Sequence, residues 1–324
     1  MYLVILQECY NYFTKGTGRR EKERGKGGND NNGKWKVENY FLHFPFSIFN
    51  FPFTSFHLCY NSTMERKIVK LLGFNIDTFD FETAINYAKD LIESKKGGQI
   101  ITINPEMIEF GLKNSEFAQI LNDADLVIPD GVGVKIGLKI KGINTKRIAG
   151  IEFSYRLIEE CAKNNFPIAL IGAKPNILQK ASEKLKSEIE GLNIIYTMDG
   201  YFQDREQRLE GETTLSPATP FNASGKDRKQ VLTALAENKP QFILIALGSP
   251  KQEEFIKEAR KLLPEALMIG VGGSFDVWSG EVERAPAIFQ KLGIEWLYRT
   301  VKEPYRLKRI FPTLPRFLFR VLFS

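Results

Sequence analysis

Asp130 ends a short apolar run and is followed at once by Gly131-Val-Gly133. A carboxylate in such a place can take the proton of a hydroxyl nucleophile, provided that a substrate brings the hydroxyl within hydrogen-bond reach. The neighbouring backbone amides offer donors to an anionic ligand. Aspartate is also a favoured helix cap, which is an equally good interpretation of this residue alone. The two histidines, His43 and His57, lie in the N-terminal stretch, so a carboxylate is the expected base of an enzyme in the main body.

Thr102 and Asn104 carry short polar side chains where another apolar run ends. On an extended chain, residues two apart face the same way, so both side chains could hydrogen-bond one sugar. Turn capping remains the alternative interpretation of each residue.

Two glycine-containing turns follow later apolar runs. The turn Gly248-Ser-Pro-Lys-Gln252-Glu opens a predicted helix, whose first amides favour an anion such as a diphosphate. In Gly270-Val-Gly-Gly273-Ser-Phe-Asp276 the glycines permit close backbone approach, and the acid could bind ribose hydroxyls. Neither turn is a P-loop or a GxGxxG motif, so the two favour a nucleotide site only in combination.

The elements that must position these residues alternate from Met64 onwards. Apolar runs at 68–74, 99–103, 125–128, 167–171, 193–198, 241–247 and 266–271 predict strands. Amphipathic stretches at 81–94, 106–112, 116–121, 134–140, 152–163, 177–188 and 251–262 predict helices. Such alternation is typical of parallel βαβ units, so the predicted fold class is α/β with a doubly wound, mostly parallel sheet. Ligands of such sheets bind outside the carboxyl ends of the strands.

We expect three regions along the 324 residues. Residues 1–63 are interpreted as a disordered or non-native extension, because 15–36 is polar and cannot bury a core. A membrane span at the phenylalanine-rich 40–60 is the alternative, weakened by prolines and polar residues. Residues 64–283 form the main domain, with an inserted Ser/Thr/Pro-rich loop near 203–226, and residues 284–324 form a basic C-terminal appendage.

Composition narrows the classes of protein. The chain is 43% hydrophobic and has three widely spaced cysteines, which suits a globular protein of a reducing cytoplasm and argues against a disulfide framework or a zinc site. Asp123-Ala-Asp125 resembles a cation-binding DxD motif, but it precedes its strand instead of following it. We therefore expect no metal and no cofactor.

The appendage is basic and aromatic. If helical, it places Arg299, Arg306 and Arg309 near one face. Pro304 and Pro312 would break or start helices, which predicts two or three short ones. A solvated surface, a nucleic-acid site and a membrane surface are all consistent with the charge. The aromatic and aliphatic content of 311–323 favours the membrane, so no nucleic acid is expected as a partner.

Several motifs occur in a specific order. They are Thr102-Ile-Asn-Pro-Glu-Met, Asp125-Leu-Val-Ile-Pro-Asp-Gly-Val-Gly133, Arg147-Ile-Ala-Gly150, Gly172-Ala-Lys-Pro, Ala246-Leu-Gly-Ser-Pro-Lys-Gln-Glu253, Gly270-Val-Gly-Gly-Ser-Phe-Asp276, Arg284-Ala-Pro, Leu292-Gly-Ile-Glu-Trp-Leu-Tyr-Arg299 and Glu303-Pro-Tyr-Arg306. From about Met64 to the last residue the chain resembles the WecG/TagA/CpsF family of bacterial glycosyltransferases.

The resemblance implies a Rossmann-like fold and a metal-independent hexosyltransferase. It implies inverting transfer of N-acetylmannosamine from UDP-N-acetylmannosamine to undecaprenyl-diphosphate-linked N-acetylglucosamine, with a β-1,4 linkage, in wall teichoic acid synthesis. Another UDP-hexose donor, such as UDP-N-acetylmannosaminuronic acid or UDP-glucose, stays open. From the residues alone, an NAD-dependent sugar-nucleotide epimerase or dehydrogenase and a non-catalytic nucleotide sensor also stay open.

The resemblance also implies roles for individual residues. Asp130 matches the proposed base, and the catalytic set is completed by Thr102, Asn104, Gln252, Arg306 and Arg309. Substrate binding is expected of Gly131, Gly133, Arg147, Gly172, Gly248, Gly272, Gly273, Asp276 and Arg299. The appendage is expected to close over the site and to hold the protein at the cytoplasmic face of the membrane, and a homo-oligomer is left open.

Overall fold

Six parallel strands form the central sheet of the computed structural model, which describes residues 66–202, 227–286, Phe289, Glu295, Tyr298 and 307–324. The strands are β3 (Gly98–Ile103), β4 (Leu126–Pro129), β5 (Ile168–Gly172), β6 (Ile194–Met198), β7 (Phe242–Ala246) and β8 (Leu267–Gly270). Their order is β4-β3-β8-β7-β5-β6. Every residue of β4, β5, β7 and β8 is buried, which explains why these strands are continuous apolar runs.

Helices cover both faces of this sheet, as predicted. They are α1 (Phe81–Glu93), α2 (Pro105–Gly111), α3 (Ser115–Asn122), α4 (Val132–Ile140), α5 (Gly150–Lys163), α6 (Pro175–Glu188), α7 (Arg228–Asn238), α8 (Lys251–Leu262), α9 (Ser274–Trp278) and α10 (Leu307–Leu322). Helices α1, α5, α6 and α9 share one apolar core. On the opposite face α2, α3, α4 and α10 form a second core, and α7 and α8 a third.

The neighbouring strands β3 and β8 send their following helices to opposite faces of the sheet. Met107 and Ile108 of α2 join the second core, whereas Phe275 and Trp278 of α9 join the first. The two connections therefore diverge and leave a crevice at the carboxyl ends of the strands. This is the place where doubly wound sheets bind their ligands.

Two predictions of local structure are wrong. The run 68–74 is not one strand but a hairpin of β1 (Ile68–Leu71) and β2 (Phe74–Asp77), because Leu72 and Gly73 both take positive φ and reverse the chain. Pro312 does not break or start a helix, since α10 continues through it and Pro315. The burial of Phe317 on α10 against the second core opposes the usual cost of a helical proline, about 3 kcal/mol.

The other element bounds agree with the predicted ones to within two residues, apart from α7 and α9, which no pattern predicted. The extension at 1–63 and the insertion at 203–226 fall outside the described residues, and they stay predictions.

Candidate active site

A cavity of about 310 Å³ opens at the carboxyl ends of β3, β4 and β8. Its wall is built from five segments: the turn after β3, the turn after β4, the loop leading into α5, the turn after β8, and the C-terminal segment, which is the predicted appendage at 284–324. The lining residues include Thr102, Asn104, Glu106, Asp130, Gly131, Gly133, Arg147, Gly150, Gly273, Ser274, Glu295, Thr313 and Leu314.

The Asp130 carboxylate lies in this wall and is held from three directions. Its Oδ1 accepts from the N–H of Gly131 at 2.6 Å and from Nε of Arg147 at 3.4 Å. Its Oδ2 accepts from the N–H of Gly150 at 3.3 Å. The side chain nevertheless keeps 30% of its surface accessible, so a substrate hydroxyl in the cavity can reach it. The helix cap foreseen as the alternative role is not formed, because Gly131 is the N-cap of α4.

Burial raises the pKa of Asp130 above its ordinary value, and this effect outweighs the lowering by Arg147 and by the two backbone amides. A carboxylate with a raised pKa is a stronger proton acceptor once it is ionised. The environment of Asp130 therefore suits a general base.

Glycines let the wall segments approach one another. A Cβ at Gly150 would lie 2.9 Å from Cγ2 of Thr102 and 3.2 Å from Oδ2 of Asp130. A Cβ at Gly133 would lie 2.5 Å from Cγ of Pro105. The loop before α5 is fixed to β4 by the N–H of Ile148, which donates to the Pro129 carbonyl at 3.0 Å.

Asn104 combines two of its expected roles. Its Oδ1 accepts from the N–H of Met107 at 3.0 Å and so caps α2. The residue also lines the cavity beside Thr102, as expected for neighbours two apart on a strand end. Capping thus holds the polar pair at the cavity wall.

Gln252 lies behind the turn after β8 and is not one of the lining residues. Its Oε1 accepts from the N–H of Gly272 at 3.1 Å, and its Nε2 donates to Oε1 of Glu253 at 2.8 Å. Glu253 is buried, which raises the pKa of its carboxyl to about 7 against the hydrogen bonds from Gln252 and Ser249. The pair supports the turn that carries Gly273 into the cavity.

A chain of charges leads from Asp130 into the C-terminal segment. Nη2 of Arg147 lies 3.5 Å from Oε1 of Glu295, which is buried. Nη2 of Arg284 lies 3.8 Å from the same oxygen and also pairs with Glu152 of α5. Acids and arginines thus alternate from the cavity to the surface.

Seven of the predicted site residues meet at the cavity: Thr102, Asn104, Asp130, Gly131, Gly133, Arg147 and Gly273. Gly172, Gly248, Gly272 and Asp276 are not among the lining residues, and their binding roles, like that of Gln252 in catalysis, stay predictions. Gly172 has φ +111°, and a Cβ there would lie 2.4 Å from the Ala246 carbonyl oxygen, so it serves the close approach of β5 and β7. Arg299, Arg306 and the side chain of Arg309 lie outside the described residues.

Sequence reasoning missed Gly150, Glu295 and the two α10 residues Thr313 and Leu314. Glu295 does carry a signal, because an acid between isoleucine and tryptophan in a basic segment is unusual. Gly150 carries one too, as the glycine that ends the motif begun by Arg147.

Within the part of the chain that the structure describes, no three His, Cys, Asp or Glu residues are grouped so as to hold a metal ion. Asp125, the second acid of the DxD-like sequence, accepts from the N–H of Gln99 at 2.8 Å and pairs with Arg260 at 2.9 Å. Its contacts are those of a structural residue that joins β3 to α8.

Comparison with known proteins adds a second line of observation. Residues 69–324 match the family described as "Glycosyl transferase WecG/TagA/CpsF family". The chain is 32% identical over 260 residues to the N-acetylglucosaminyldiphosphoundecaprenol N-acetyl-beta-D-mannosaminyltransferase of Bacillus spizizenii (strain ATCC 23059 / NRRL B-14472 / W23). The matched residues cover 80% of this chain and 91% of that protein. The chain is 34% identical over 235 residues to the protein of the same name from Bacillus subtilis (strain 168), covering 72% and 82%.

Proposed function

The chain belongs to the glycosyl transferase WecG/TagA/CpsF family, and from this premise we propose that it transfers N-acetylmannosamine from UDP-N-acetylmannosamine to N-acetylglucosaminyldiphosphoundecaprenol. The product would be the disaccharide of the wall teichoic acid linkage unit. The observation that carries the proposal is Asp130, a carboxylate of raised pKa in the wall of the cavity at the carboxyl ends of the strands.

In the proposed reaction Asp130 is the general base. The 4-hydroxyl of the acceptor N-acetylglucosamine attacks the anomeric carbon of the donor while its proton passes to Asp130. A new carbon–oxygen bond forms, the bond from the anomeric carbon to the diphosphate breaks, and UDP leaves with the electron pair. Attack from the side opposite to UDP inverts the configuration. Thr102 and Asn104, on the same wall, are positioned to hydrogen-bond a sugar.

The departing UDP needs positive charge around it, which arginine guanidiniums supply well. We propose that Arg299, Arg306 and Arg309 of the C-terminal segment provide this charge. Thr313 and Leu314 of the same segment line the cavity, which supports the proposal. Arg306→Ala or Arg309→Ala is expected to lower turnover and to leave the unfolding temperature unchanged, and wild-type rates from both variants would remove the segment from the reaction.

The test of the reaction is release of UDP with a panel of UDP-sugars and a short-chain lipid-diphosphate acceptor. UDP-N-acetylmannosamine should be used faster than its uronic acid or UDP-glucose, and Asp130→Asn should lose about 10²–10⁴-fold in turnover. Asp123→Asn is the matched control, because Asp123 is an exposed acid in the loop before β4. Near-normal turnover in Asp130→Asn would rule out the assignment of the base.

We further propose that the protein docks on the inner face of the cell membrane. Helix α10 packs against α2 and α4. These helices and the residues directly after α2 and α10 expose apolar side chains: Phe110, Leu112, Ile136, Ile140, Phe319, Leu322 and Phe323. Helix α4 and the residue after it expose Lys135, Lys139 and Lys141, which suit anionic headgroups. None of the helices in the described ranges is long and apolar enough to cross a bilayer.

Co-sedimentation with phosphatidylglycerol vesicles tests this docking. The protein should sediment with anionic vesicles and less with neutral phosphatidylcholine, and Phe319→Ser together with Phe323→Ser should weaken it. Tyr201→Ser is the control, since Tyr201 is an exposed aromatic residue outside these helices. Equal sedimentation of both variants would contradict the assignment of the surface.

A further inference from the structure

Arg147 is divided between two carboxylates from distant parts of the chain. Its Nε lies 3.4 Å from Oδ1 of Asp130, and its Nη2 lies 3.5 Å from Oε1 of Glu295. Both distances are long for a guanidinium and a carboxylate, which normally meet at about 2.7–2.9 Å. Arg147 therefore forms a short, two-bonded ion pair with neither acid.

Another arginine of the same fold does form such a two-bonded ion pair. Arg66 binds Asp77 with two parallel hydrogen bonds, Nε to Oδ1 at 2.8 Å and Nη2 to Oδ2 at 2.7 Å. Such a fork stabilises the ionised carboxylate and makes it a weaker proton acceptor. The contrast indicates what Asp130 would experience if Glu295 did not hold the other side of Arg147.

The other charges around Asp130 do not take over this role. Apart from Asp130 itself, the charged residues of the cavity wall are Glu106, Arg147 and Glu295. The turn after β8 contributes Ser274, and α10 contributes Thr313 and Leu314, all uncharged. Arg284 is itself divided between Glu295 and Glu152. Within the described residues Arg147 is the one cation in the wall, so its position sets the balance of charge at Asp130.

We propose that Glu295 is a positioning residue for Asp130: it draws Arg147 partly away and so keeps the aspartate a strong base. The inference rests on the proposed function of Asp130. Glu295 belongs to the C-terminal segment and Asp130 follows β4, so the contacts of Arg147 join two distant parts of the chain.

The test is the pH profile of kcat/KM for UDP release by the full chain. In Glu295→Gln, Arg147 is free to close on Asp130, and the negative charge of Glu295 is gone. Both changes lower the pKa of Asp130, so the acidic limb should move to lower pH. The plateau kcat should fall several-fold while KM for the donor stays the same. A role in folding alone would not move the limb.

Three further variants sharpen the test. Glu295→Asp keeps the charge on a shorter side chain and should restore the limb in part, which also covers the case in which Glu295→Gln folds poorly. The double variant Arg147→Gln with Glu295→Gln should show a limb close to that of Arg147→Gln alone, lowered only by the lost charge of Glu295. Glu281→Gln is the matched control, an exposed acid that pairs with Lys180, and it should behave like the wild type.

The outcomes separate the two proposals. An inactive Asp130→Asn combined with an unmoved limb in Glu295→Gln overturns the role of Glu295 and leaves the base assignment intact. An active Asp130→Asn overturns the base assignment whatever Glu295→Gln does. A limb that moves to higher pH in Glu295→Gln also overturns the role of Glu295.

Discussion

The N–H of Gly150 donates to Oδ2 of Asp130 at 3.3 Å, so the first residue of α5 contacts the candidate base directly. The same residue leaves no room for a side chain, because a Cβ would lie 2.9 Å from Cγ2 of Thr102. The loop before α5 and the end of β3 are thus fitted to each other around the carboxylate.

Gly150→Ala is the first prediction. The added methyl group should push Thr102 and Asp130 apart and lower kcat by about 10²-fold, since small misplacements at a reacting group are costly. UDP release measures the loss, and thermal unfolding checks that the variant remains folded. Adding Thr102→Ser removes the crowded methyl group and should recover part of the activity. Full activity of Gly150→Ala would show that this fit does not matter for transfer.

Arg147→Gln should move the acidic limb of the pH profile in the opposite direction to Glu295→Gln. Arg147 lowers the pKa of Asp130, so its removal should raise that pKa and shift the limb to higher pH. The pH dependence of kcat/KM for UDP release is the measurement. Arg156→Gln, which changes an arginine paired with Glu160 on α5, serves as the control. A shift to lower pH after Arg147→Gln would contradict the electrostatic account.

Glu253→Gln should stabilise the protein at alkaline pH. The pKa of Glu253 is about 7 in the folded protein, against an ordinary 4.5, so between these values the folded state holds a proton that the unfolded chain has released. Stability therefore falls as the pH rises through this window, by about 3 kcal/mol in all. Glutamine resembles the protonated acid and does not titrate, so the variant should not lose this stability as the pH rises.

Thermal unfolding at about pH 5 and about pH 8 measures the effect of Glu253→Gln. The variant should unfold at a higher temperature than the wild type at the higher pH and close to it at the lower. Glu265→Gln is the matched control, because Glu265 is an exposed acid in the loop before β8. The same behaviour in both variants would sink the assignment to Glu253.

Phe317→Ala should weaken the packing of α10 against the second core. Phe317 is fully buried, and a Cβ at Gly137 would lie 3.1 Å from its ring, so truncation should leave a cavity and cost about 3–5 kcal/mol. Turnover should fall as well, because Leu314 of the same helix lines the cavity that contains Asp130. Leu262→Ala, at a side chain of α8 that is 52% exposed and lies outside the proposed docking surface, should change neither quantity. Retained stability and activity in Phe317→Ala would contradict the role of α10.

The sheet and the position of Asp130 could be predicted because their causes are local. Buried parallel strands need continuous apolar runs, and the turn that follows such a run puts Asp130 at the strand end. The hairpin at Leu72-Gly73 was missed because leucine rarely takes positive φ, so the sequence lacks the usual turn signal. Helix α7 was missed because it offers few apolar positions, of which Val231, Leu232 and Leu235 are buried.

The charge chain of the site could not be predicted for a different reason. Asp130, Arg147 and Glu295 lie on three segments that meet only after the sheet and α5 have formed and the C-terminal segment has packed against them. A pattern along the chain records none of these distances. For Gln252 the sequence correctly predicted a position at the start of the helix after β7. Its contact with Gly272 of the turn after β8 depends on how α8 packs, which the sequence does not record.

A Cβ at Gly270 would lie 2.3 Å from Nε2 of Gln252, so any larger residue at position 270 requires the glutamine side chain to move. A methyl group at position 270 would displace the side-chain amide of Gln252 and break its hydrogen bonds to Gly272 and Glu253. Homologous sequences should therefore change these two positions together, with a larger residue at the first accompanied by a shorter one at the second. The pair offers a marker of how the turn after β8 has diverged between relatives.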